Sequence, residues 1–308
     1  MKILITGAAG FVGRTLWSHL TDLGHTVLPI VRKECGHRDQ VVFGDIGPAS
    51  DWAELLGGCD AVVHLAARVH VMKDDAENPV ALYRSLNTDA TLNIARQAAE
   101  AGVKRFVFVS SVKVNGEGRG TAYRETDIAT PEDPYATSKW EAEQGLGQIA
   151  TKTGLEVVIL RPPLVYGPGV KANFLHLAHA VKRGWPLPLG AISNRRSLLY
   201  LGNLVDAIRL CTEHPEASGQ TFLLDDGEPV STPELITRLA DAMGRKPHLF
   251  KVPVPILEMA GRLLGRRAAV ARLTGSLFVD SSAIRSRLGW LPPYSMQTGL
   301  RQTLAGLS

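Results

Sequence analysis

A glycine-rich turn near the N-terminus constrains the fold of this chain more than any other feature. It follows the apolar run Lys2–Ile5 and reads Gly7-Ala-Ala-Gly10-Phe-Val-Gly13, after which an amphipathic helical pattern begins. Glycines at this spacing permit a tight turn, a close approach of the backbone to a pyrophosphate and close packing of helix on strand. The free N–H groups at the start of the helix attract phosphate. The turn therefore predicts a dinucleotide site, with candidate cofactor residues Gly7, Gly10, Phe11, Val12 and Gly13.

Short apolar runs alternate with longer helical patterns over the first two-thirds of the chain. Predicted strands are Lys2–Ile5, Thr26–Val31, Val41–Phe43, Ala61–Leu65, Arg105–Val109 and Glu156–Leu160, and predicted helices are Phe11–Leu23, Asn87–Ala101 and Pro134–Thr153. Continuously apolar strands are typical of a sheet that is covered on both faces. The alternation predicts an α/β fold with a doubly wound parallel sheet of the Rossmann type.

After about residue 165 the alternation becomes irregular and prolines cluster. We therefore predict a dinucleotide-binding domain over residues 1–165 and a smaller C-terminal α/β substrate domain, mainly over 166–308. The two are partly interleaved, because later strands within about 198–225, including Gln220–Leu224, are expected to return to the first sheet. The residues Thr232-Pro233-Glu234 predict a helix that has Thr232 as its N-cap.

Composition excludes several classes of protein. The 308 residues are 45% hydrophobic and 21% charged, with a net charge of +4 and no long run of Lys or Arg, so nucleic-acid binding is not expected. The cysteines Cys35, Cys59 and Cys211 are far apart and predict neither a disulfide framework nor a metal site. No apolar run is long enough to span a membrane. We expect a cytoplasmic protein with no metal and no membrane partner.

The end of the second predicted strand bears on the choice of cofactor. An NAD site usually places a carboxylate there, on the ribose 2′-hydroxyl, but this chain has Val31 followed by Arg32. A guanidinium suits a 2′-phosphate, so NADP(H) is favoured and NAD(H) remains possible. Arg32 could instead only stack on the adenine. Asp45 and Ile46, after the third strand, are candidates for bracketing the adenine, although Asp45 could equally be a turn residue.

Tyr135 and Lys139 lie four residues apart at the start of a predicted helix and therefore share one face. A neighbouring ammonium and an oxidised nicotinamide would both lower the pKa of the phenol, so that it could exchange a proton with a substrate hydroxyl. A surface Tyr/Lys pair is the plain alternative. A catalytic role for the pair is favoured because it follows a predicted strand that leads into Ser110-Ser111, which would aim a hydroxyl at the same substrate oxygen.

Together these motifs resemble the extended short-chain dehydrogenase/reductase family across nearly the whole chain. The matching segments are Thr6–Gly13, Gly44-Asp45-Ile46, His64-Leu-Ala-Ala67, Asn87, Ser110-Ser111, Tyr135 with Lys139, and Arg161-Pro-Pro-Leu-Val-Tyr-Gly-Pro168. The resemblance implies that Ser111, rather than Ser110, is catalytic with Tyr135 and Lys139. It also adds the cofactor contacts Leu65, Ala66, Ala67, Pro162 and Val165, and implies a homodimer. Tyr135 and Lys139 are expected to contact the cofactor as well, with Lys139 holding the nicotinamide ribose.

Within that family the chain is similar to the UDP-glucose 4-epimerase branch, and within it to bacterial surface-polysaccharide enzymes. The resemblance implies a UDP-sugar substrate bound by Ser111, Tyr135, Asn173, Phe174, Leu189, Arg196 and Arg272. The expected activity is NADPH-dependent reduction of a UDP-4-keto-6-deoxy-N-acetylhexosamine at C4. The alternative is a UDP-glucose or UDP-N-acetylglucosamine 4-epimerase with tightly bound NAD, and a remoter one is a non-catalytic cofactor-sensing protein. Val31, Leu164 and Val114-Asn115-Gly116 depart from the epimerase pattern.

Overall fold

The structure is a computed structural model, and it describes residues 1–69 and 79–306. The main sheet contains β1 (Lys2–Thr6), β2 (Thr26–Val31), β3 (Val41–Val42), β4 (Ala61–His64), β5 (Arg105–Val109), β6 (Glu156–Arg161) and β9 (Thr221–Leu223). A second parallel sheet consists of β7 (Leu164–Tyr166) and β8 (Leu198–Tyr200).

The helices lie around these sheets. They are α1 (Phe11–Asp22), α2 (Ala53–Leu56), α3 (Pro79–Tyr83), α4 (Ala90–Glu100), α5 (Pro134–Thr153), α6 (Ala172–Lys182), α7 (Leu201–Glu213), α8 (Thr232–Ala242), α9 (Val254–Leu263), α10 (Arg267–Thr274), α11 (Ser282–Leu288) and α12 (Met296–Ala305). Of the described residues, none lies in a helix long and apolar enough to cross a bilayer.

The seven strands of the main sheet are all parallel and run in the order β3-β2-β1-β4-β5-β6-β9. Successive side chains of β1 alternate between two buried layers, with Ile3 and Ile5 on one face and Leu4 on the other. The strand order reverses between β1 and β4, and the crevice for a ligand opens at the carboxyl ends of the strands at such a point. The predicted doubly wound Rossmann fold is confirmed.

Several predicted elements have the expected bounds, and others are shifted. Thr26–Val31, Arg105–Val109 and Pro134–Thr153 match, because local apolar runs and glycine stops define them. The helix predicted from Asn87 instead begins with a π-helical turn, Arg84–Asp89, before α4. The prediction of Thr232 as N-cap is wrong by one residue.

Ser231 is the N-cap of α8. Its hydroxyl accepts the Glu234 N–H at 3.2 Å, and the Glu234 carboxylate accepts the Ser231 N–H at 2.7 Å. This reciprocal capping box satisfies two N–H groups that a cap at Thr232 would leave open.

Only part of the 198–225 stretch pairs with the main sheet. β9 lies beside β6, with Leu160 opposite Phe222, whereas β8 pairs with β7 in the small sheet. Between them α7 packs on α1, so chain from beyond residue 165 covers one face of the main sheet. The proposed domain boundaries remain a prediction.

Candidate active site

The glycine turn has the geometry that an anion site needs. Gly7 has a φ of +70°, and a Cβ on Gly13 would lie 2.3 Å from the Gly7 carbonyl oxygen. Gly10 is the N-cap of α1, donates its N–H to the Gly7 oxygen at 2.9 Å, and brings no capping side chain. The first N–H groups of α1 therefore point out of a turn that has no room for side chains. These residues fit the diphosphate of a dinucleotide.

The other cofactor candidates lie at the same edge of the sheet. Leu65, Ala66 and Ala67 follow β4, Asp45 and Ile46 follow β3, Pro162 follows β6, Val165 is in β7, and Phe11 and Val12 begin α1. The Ala66 N–H donates to the Thr6 hydroxyl at 3.2 Å, which ties the end of β4 to the glycine turn. The fold thus brings these residues together, while their individual contacts with a cofactor remain a proposal.

Arg32, the candidate for a 2′-phosphate, is already paired. Its Nε lies 2.5 Å from Oδ1 of Asp45, and the two side chains are 70% and 76% exposed. Val31 is buried in the core at the end of β2. A carboxylate therefore does lie beside the end of β2, but it belongs to Asp45, which follows β3. Because Asp45 would repel a 2′-phosphate, the geometry does not support the expected preference for NADP(H).

The three catalytic candidates converge where β5 meets α5. The Asp133 carboxylate caps α5 by accepting the Ala136 N–H at 2.7 Å, which places Tyr135 in the first turn and Lys139 one turn later. Ser111 follows β5 and caps the short 3-10 turn Val112–Val114. The Ser111 side chain lies close enough to the Tyr135 phenol to lower its pKa. Helix spacing and the strand end together place a hydroxyl, a phenol and an ammonium beside the crevice.

The protein's own groups do not lower the pKa of Tyr135, contrary to the prediction. Burial, with smaller contributions from the Asp133 carboxylate and Tyr83, raises it to about 12, and only the interaction with the Ser111 side chain lowers it. Lys139 is not among the groups that lower it, and its ammonium donates to the Val109 carbonyl at 2.9 Å. The phenol is therefore protonated at neutral pH, and its use as a base needs a further positive charge nearby.

Lys139 is one of the largest fully buried side chains. Its Nζ lies 4.4 Å from the centroid of the Phe108 ring as well as near the Val109 carbonyl. Burial lowers its pKa to about 7, and the Glu143 carboxylate one turn later opposes that shift. The position of the ammonium is thus set by β5 and α5 together.

Sequence reasoning missed Glu143, which organises a buried polar network. The Ser110 hydroxyl donates to its Oε1 at 2.5 Å, and Arg161 donates to its Oε2 at 2.5 Å. Arg161 also donates to Oδ1 of Asn115 at 3.0 Å. Ser110 is therefore engaged in the core, and Ser111 is the serine beside Tyr135. The available signal was the spacing, since Glu143 is four residues after Lys139 and on the same face of α5.

His64, at the end of β4, is a second buried polar residue near the crevice. Its ring nitrogens lie 2.9 Å from the Thr6 hydroxyl and 3.0 Å from the Thr91 hydroxyl. Burial and the Lys139 charge lower its pKa to about 3. A neutral His64 thus links β1, β4 and α4 below the glycine turn.

Asn87 connects the π-helical turn to the catalytic helix. Its amide nitrogen donates to the Ser138 hydroxyl and to the Arg68 carbonyl, both at 3.0 Å, and its amide oxygen accepts the Arg68 N–H at 2.7 Å. Asn87 is fully buried and makes all of these bonds within the protein. Its place in the family motif is therefore consistent with positioning α5.

The remaining substrate candidates lie in two places: Asn173, Phe174 and Leu189 lie in α6 or shortly after it, and Arg196 and Arg272 contact each other. Phe174 stacks on Tyr166 in the core with 5.4 Å between ring centroids, so only its backbone is available to a diphosphate. Leu189 is also buried, whereas Asn173 is exposed at the start of α6. The Arg196 guanidinium donates to the carbonyl of Arg272 at 2.9 Å. Arg196 and Arg272 are therefore neighbours, although their sequence positions are far apart.

Known proteins resemble this chain over nearly its whole length. A sequence profile of the NAD dependent epimerase/dehydratase family matches residues 3–224. The chain is 46% identical to a UDP-glucose 4-epimerase of Vibrio cholerae, over 98% of this chain and 94% of that protein. It is 25% identical to MoeE5 in complex with UDP-glucuronic acid and NAD, with a TM-score of 0.80 over 100% of this chain and 99% of that one. The Thermus thermophilus UDP-glucose 4-epimerase in complex with NAD is 26% identical, with a TM-score of 0.78 over 99% and 98% of the two chains.

Proposed function

The chain belongs to the NAD dependent epimerase/dehydratase family, and on that premise we propose that it is a UDP-sugar 4-epimerase that retains NAD. The convergence of Ser111, Tyr135 and Lys139 beside the glycine turn carries this proposal. The similarity to a UDP-glucose 4-epimerase supports the epimerase alternative better than the NADPH-dependent reductase first expected. Membership of an enzyme family also disfavours a non-catalytic cofactor sensor.

NAD fits the residues at the crevice. The glycine turn and the start of α1 would hold the diphosphate, and the Asp45 carboxylate suits an unmodified ribose better than a 2′-phosphate. Bound NAD supplies reversible two-electron oxidation of a sugar alcohol. The similar MoeE5 and Thermus thermophilus structures are complexes with NAD, which agrees with this choice.

The side chains of the protein would manage the proton and the substrate oxygen. Tyr135 would accept the proton of the C4 hydroxyl as that carbon is oxidised to a ketone, and return it when the ketone is reduced on its other face. Ser111 would donate a hydrogen bond to the same oxygen. Because the protein's own groups raise the pKa of Tyr135, the positive charge of an oxidised nicotinamide would favour the phenolate during the first step, and Lys139 would hold the nicotinamide ribose.

We propose that the protein holds the sugar substrate through its UDP group. Arg196 and Arg272 would bind its phosphates, since arginine forks match phosphate oxygens, with Asn173 and the Phe174 backbone beside them and Leu189 against the uracil. Arg196 is half-buried and its pKa is lowered by burial, so an anion there would be held by a partly desolvated cation. MoeE5 has been solved with UDP-glucuronic acid, which supports a UDP-linked substrate. A homodimer remains a prediction.

The test is to incubate the purified enzyme, without added cofactor, with UDP-glucose, UDP-galactose and UDP-N-acetylglucosamine. We expect interconversion of at least one C4 pair, and release of NAD when the protein is denatured. A second candidate is the NADPH-dependent reductase, which the sequence pattern Val31-Arg32 predicts. Consumption of NADPH with a UDP-4-keto sugar, together with no interconversion of any pair, would establish the reductase and overturn the epimerase.

A further inference from the structure

Helix α9 carries an apolar stripe on its outer side. Ile256, Met259 and Leu263 recur at intervals of three and four residues, so they share one face, and all are exposed. Leu263 is 81% exposed, and Leu264 extends the stripe. The opposite side packs inward through Val254 and Leu257 in the core cluster and through Gly261 against Val270 of α10. One side of α9 is therefore anchored, and the other presents large apolar side chains to solvent.

The same segment is strongly cationic. Residues 245–275 contain seven Lys or Arg side chains and one carboxylate, Glu258. Arg262, Arg266 and Arg267 flank the apolar stripe and are exposed. In the described part of the chain, no carboxylate forms an ion pair with any of the three, although arginines elsewhere, such as Arg209 and Arg238, are paired. The α9 face, defined as Ile256, Met259, Leu263 and Leu264 with these three arginines, is thus both apolar and positively charged.

Two exposed aromatic residues lie on the chain just before α9 and on the loop that is hydrogen-bonded to it. Phe250 donates its N–H to the Leu187 carbonyl at 3.1 Å, and Leu187 donates to the His248 carbonyl at 2.7 Å. The loop that carries Trp185 is therefore paired with the chain just before α9. Both Trp185 and Phe250 are about half exposed. Exposed Trp, Phe and Leu beside Arg is the composition of segments that insert at a lipid interface.

We propose that the α9 face docks this protein on an anionic phospholipid surface. The positive charge of the α9 face favours a lipid surface over a second copy of the chain. A second copy would bring the same three arginines against each other, whereas anionic headgroups complement them. A helix of ten residues cannot span a bilayer, but it can lie in the interface with its leucines among the acyl chains and its arginines at the headgroups. The lack of a spanning segment among the described residues is therefore compatible with peripheral binding.

The α9 face is connected to the candidate substrate site. α10 follows α9 after a short turn, carries Arg272 near its end, and supplies the carbonyl that binds Arg196. Docking would thus place the site of the proposed UDP-phosphate contacts close to the lipid surface. This inference goes beyond the proposed function and does not depend on it.

The experiment is sedimentation of the full-length protein with vesicles of phosphatidylcholine alone and of phosphatidylcholine with roughly one third phosphatidylglycerol. We expect binding to the anionic vesicles only, weakened by added salt. Leu263→Ser, and separately Arg262→Gln with Arg266→Gln and Arg267→Gln, should each weaken binding about tenfold or more. Matched controls are Ile128→Ser, at an apolar side chain that is 87% exposed elsewhere, and Lys152→Gln with Arg301→Gln. Both controls should bind as the unaltered protein does.

Three results would overturn the proposal: no binding to anionic vesicles, equal loss in the control variants, or an oligomer that Leu263→Ser dissociates. The last would assign the face to a second copy. Thermal melts of each variant establish that it is folded. Activity on soluble UDP-sugars should be unchanged by Leu263→Ser, so failure of membrane binding is distinguishable from failure of the proposed function.

Discussion

The Glu143 carboxylate and the Arg161 guanidinium form a buried ion pair, with 2.5 Å between Oε2 and Nη2 and with 2% and 5% of the side chains exposed. It joins α5 to β6 one turn beyond Lys139. Glu143→Gln would leave the charge of Arg161 uncompensated in the core, which costs about 3–5 kcal/mol. We expect urea denaturation to show that loss in the free energy of unfolding.

The matched control for Glu143→Gln is Glu228→Gln. Glu228 pairs with Arg238 at the same distance of 2.5 Å, but its side chain is 54% exposed. Water screens that pair, so its loss should cost below about 1 kcal/mol. Equal losses in the two variants would contradict the view that burial gives the Glu143–Arg161 pair its importance.

Tyr135→Phe removes the proposed proton carrier while leaving the ring in place. We expect kcat to fall about 100-fold to 10,000-fold, the range for loss of a general acid–base, with little change in the Kd for NAD or UDP. Steady-state rates and calorimetric titration measure the two quantities. Tyr294→Phe, at a partly exposed tyrosine between α11 and α12, is the control and should keep full activity. Unaltered turnover in Tyr135→Phe would exclude the assigned role.

Asp45→Asn should change the choice of cofactor. The substitution removes the carboxylate that pairs with Arg32 and leaves the guanidinium available for a 2′-phosphate. We expect the ratio of the Kd values for NAD and NADP to shift about tenfold towards NADP, which corresponds to about 1.4 kcal/mol. Fluorescence titration measures both constants. Asp39→Asn, at another exposed carboxylate just before β3, should leave the ratio unchanged.

Two glycine substitutions should have opposite effects on stability. A Cβ at Gly13 would lie 2.3 Å from the Gly7 oxygen, so Gly13→Ala should destabilise the fold by about 1–3 kcal/mol and abolish NAD binding. Gly147 is exposed within α5, and among the described residues outside its own stretch of helix no atom lies within 4 Å of where a Cβ would stand. Gly147→Ala should therefore stabilise the fold by about 1 kcal/mol, because alanine favours the helix. Thermal and urea unfolding check both. A stable Gly13→Ala that binds NAD would refute the close packing of the turn.

His64 should make the protein sensitive to acid. Its pKa is about 3 in the folded protein and near 6.5 when unfolded, so between these values the unfolded chain binds more protons and stability falls as the pH falls. From about pH 7.5 to about pH 5 the loss due to His64 should be about 2 kcal/mol. His64→Gln cannot titrate there. Urea unfolding at the two pH values should therefore show a smaller loss for the variant, and equal losses would exclude His64 as the cause.

The sequence by itself determined the sheet and the outline of the site. Continuous apolar runs specify strands covered on both faces, and a helix starting at Pro134 must place Tyr135 and Lys139 on one side. The steric demand at Gly7 and Gly13 is equally local, because only glycine tolerates the positive φ and the close approach. Such features depend on neighbours a few residues away, so they can be predicted from the order of residues alone.

Only the tertiary structure decided which polar groups meet. The pairing of Ser110 with Glu143, 33 residues later, determines that Ser111 is the serine beside Tyr135. The pairing of Asp45 with Arg32 changes the expected cofactor, and the Lys139 ammonium donates to the Val109 carbonyl. Charge and desolvation act between residues that the fold brings together in space. Their balance in the crevice determines the protonation of side chains such as Tyr135, which the glycine turn and the Tyr/Lys spacing do not predict.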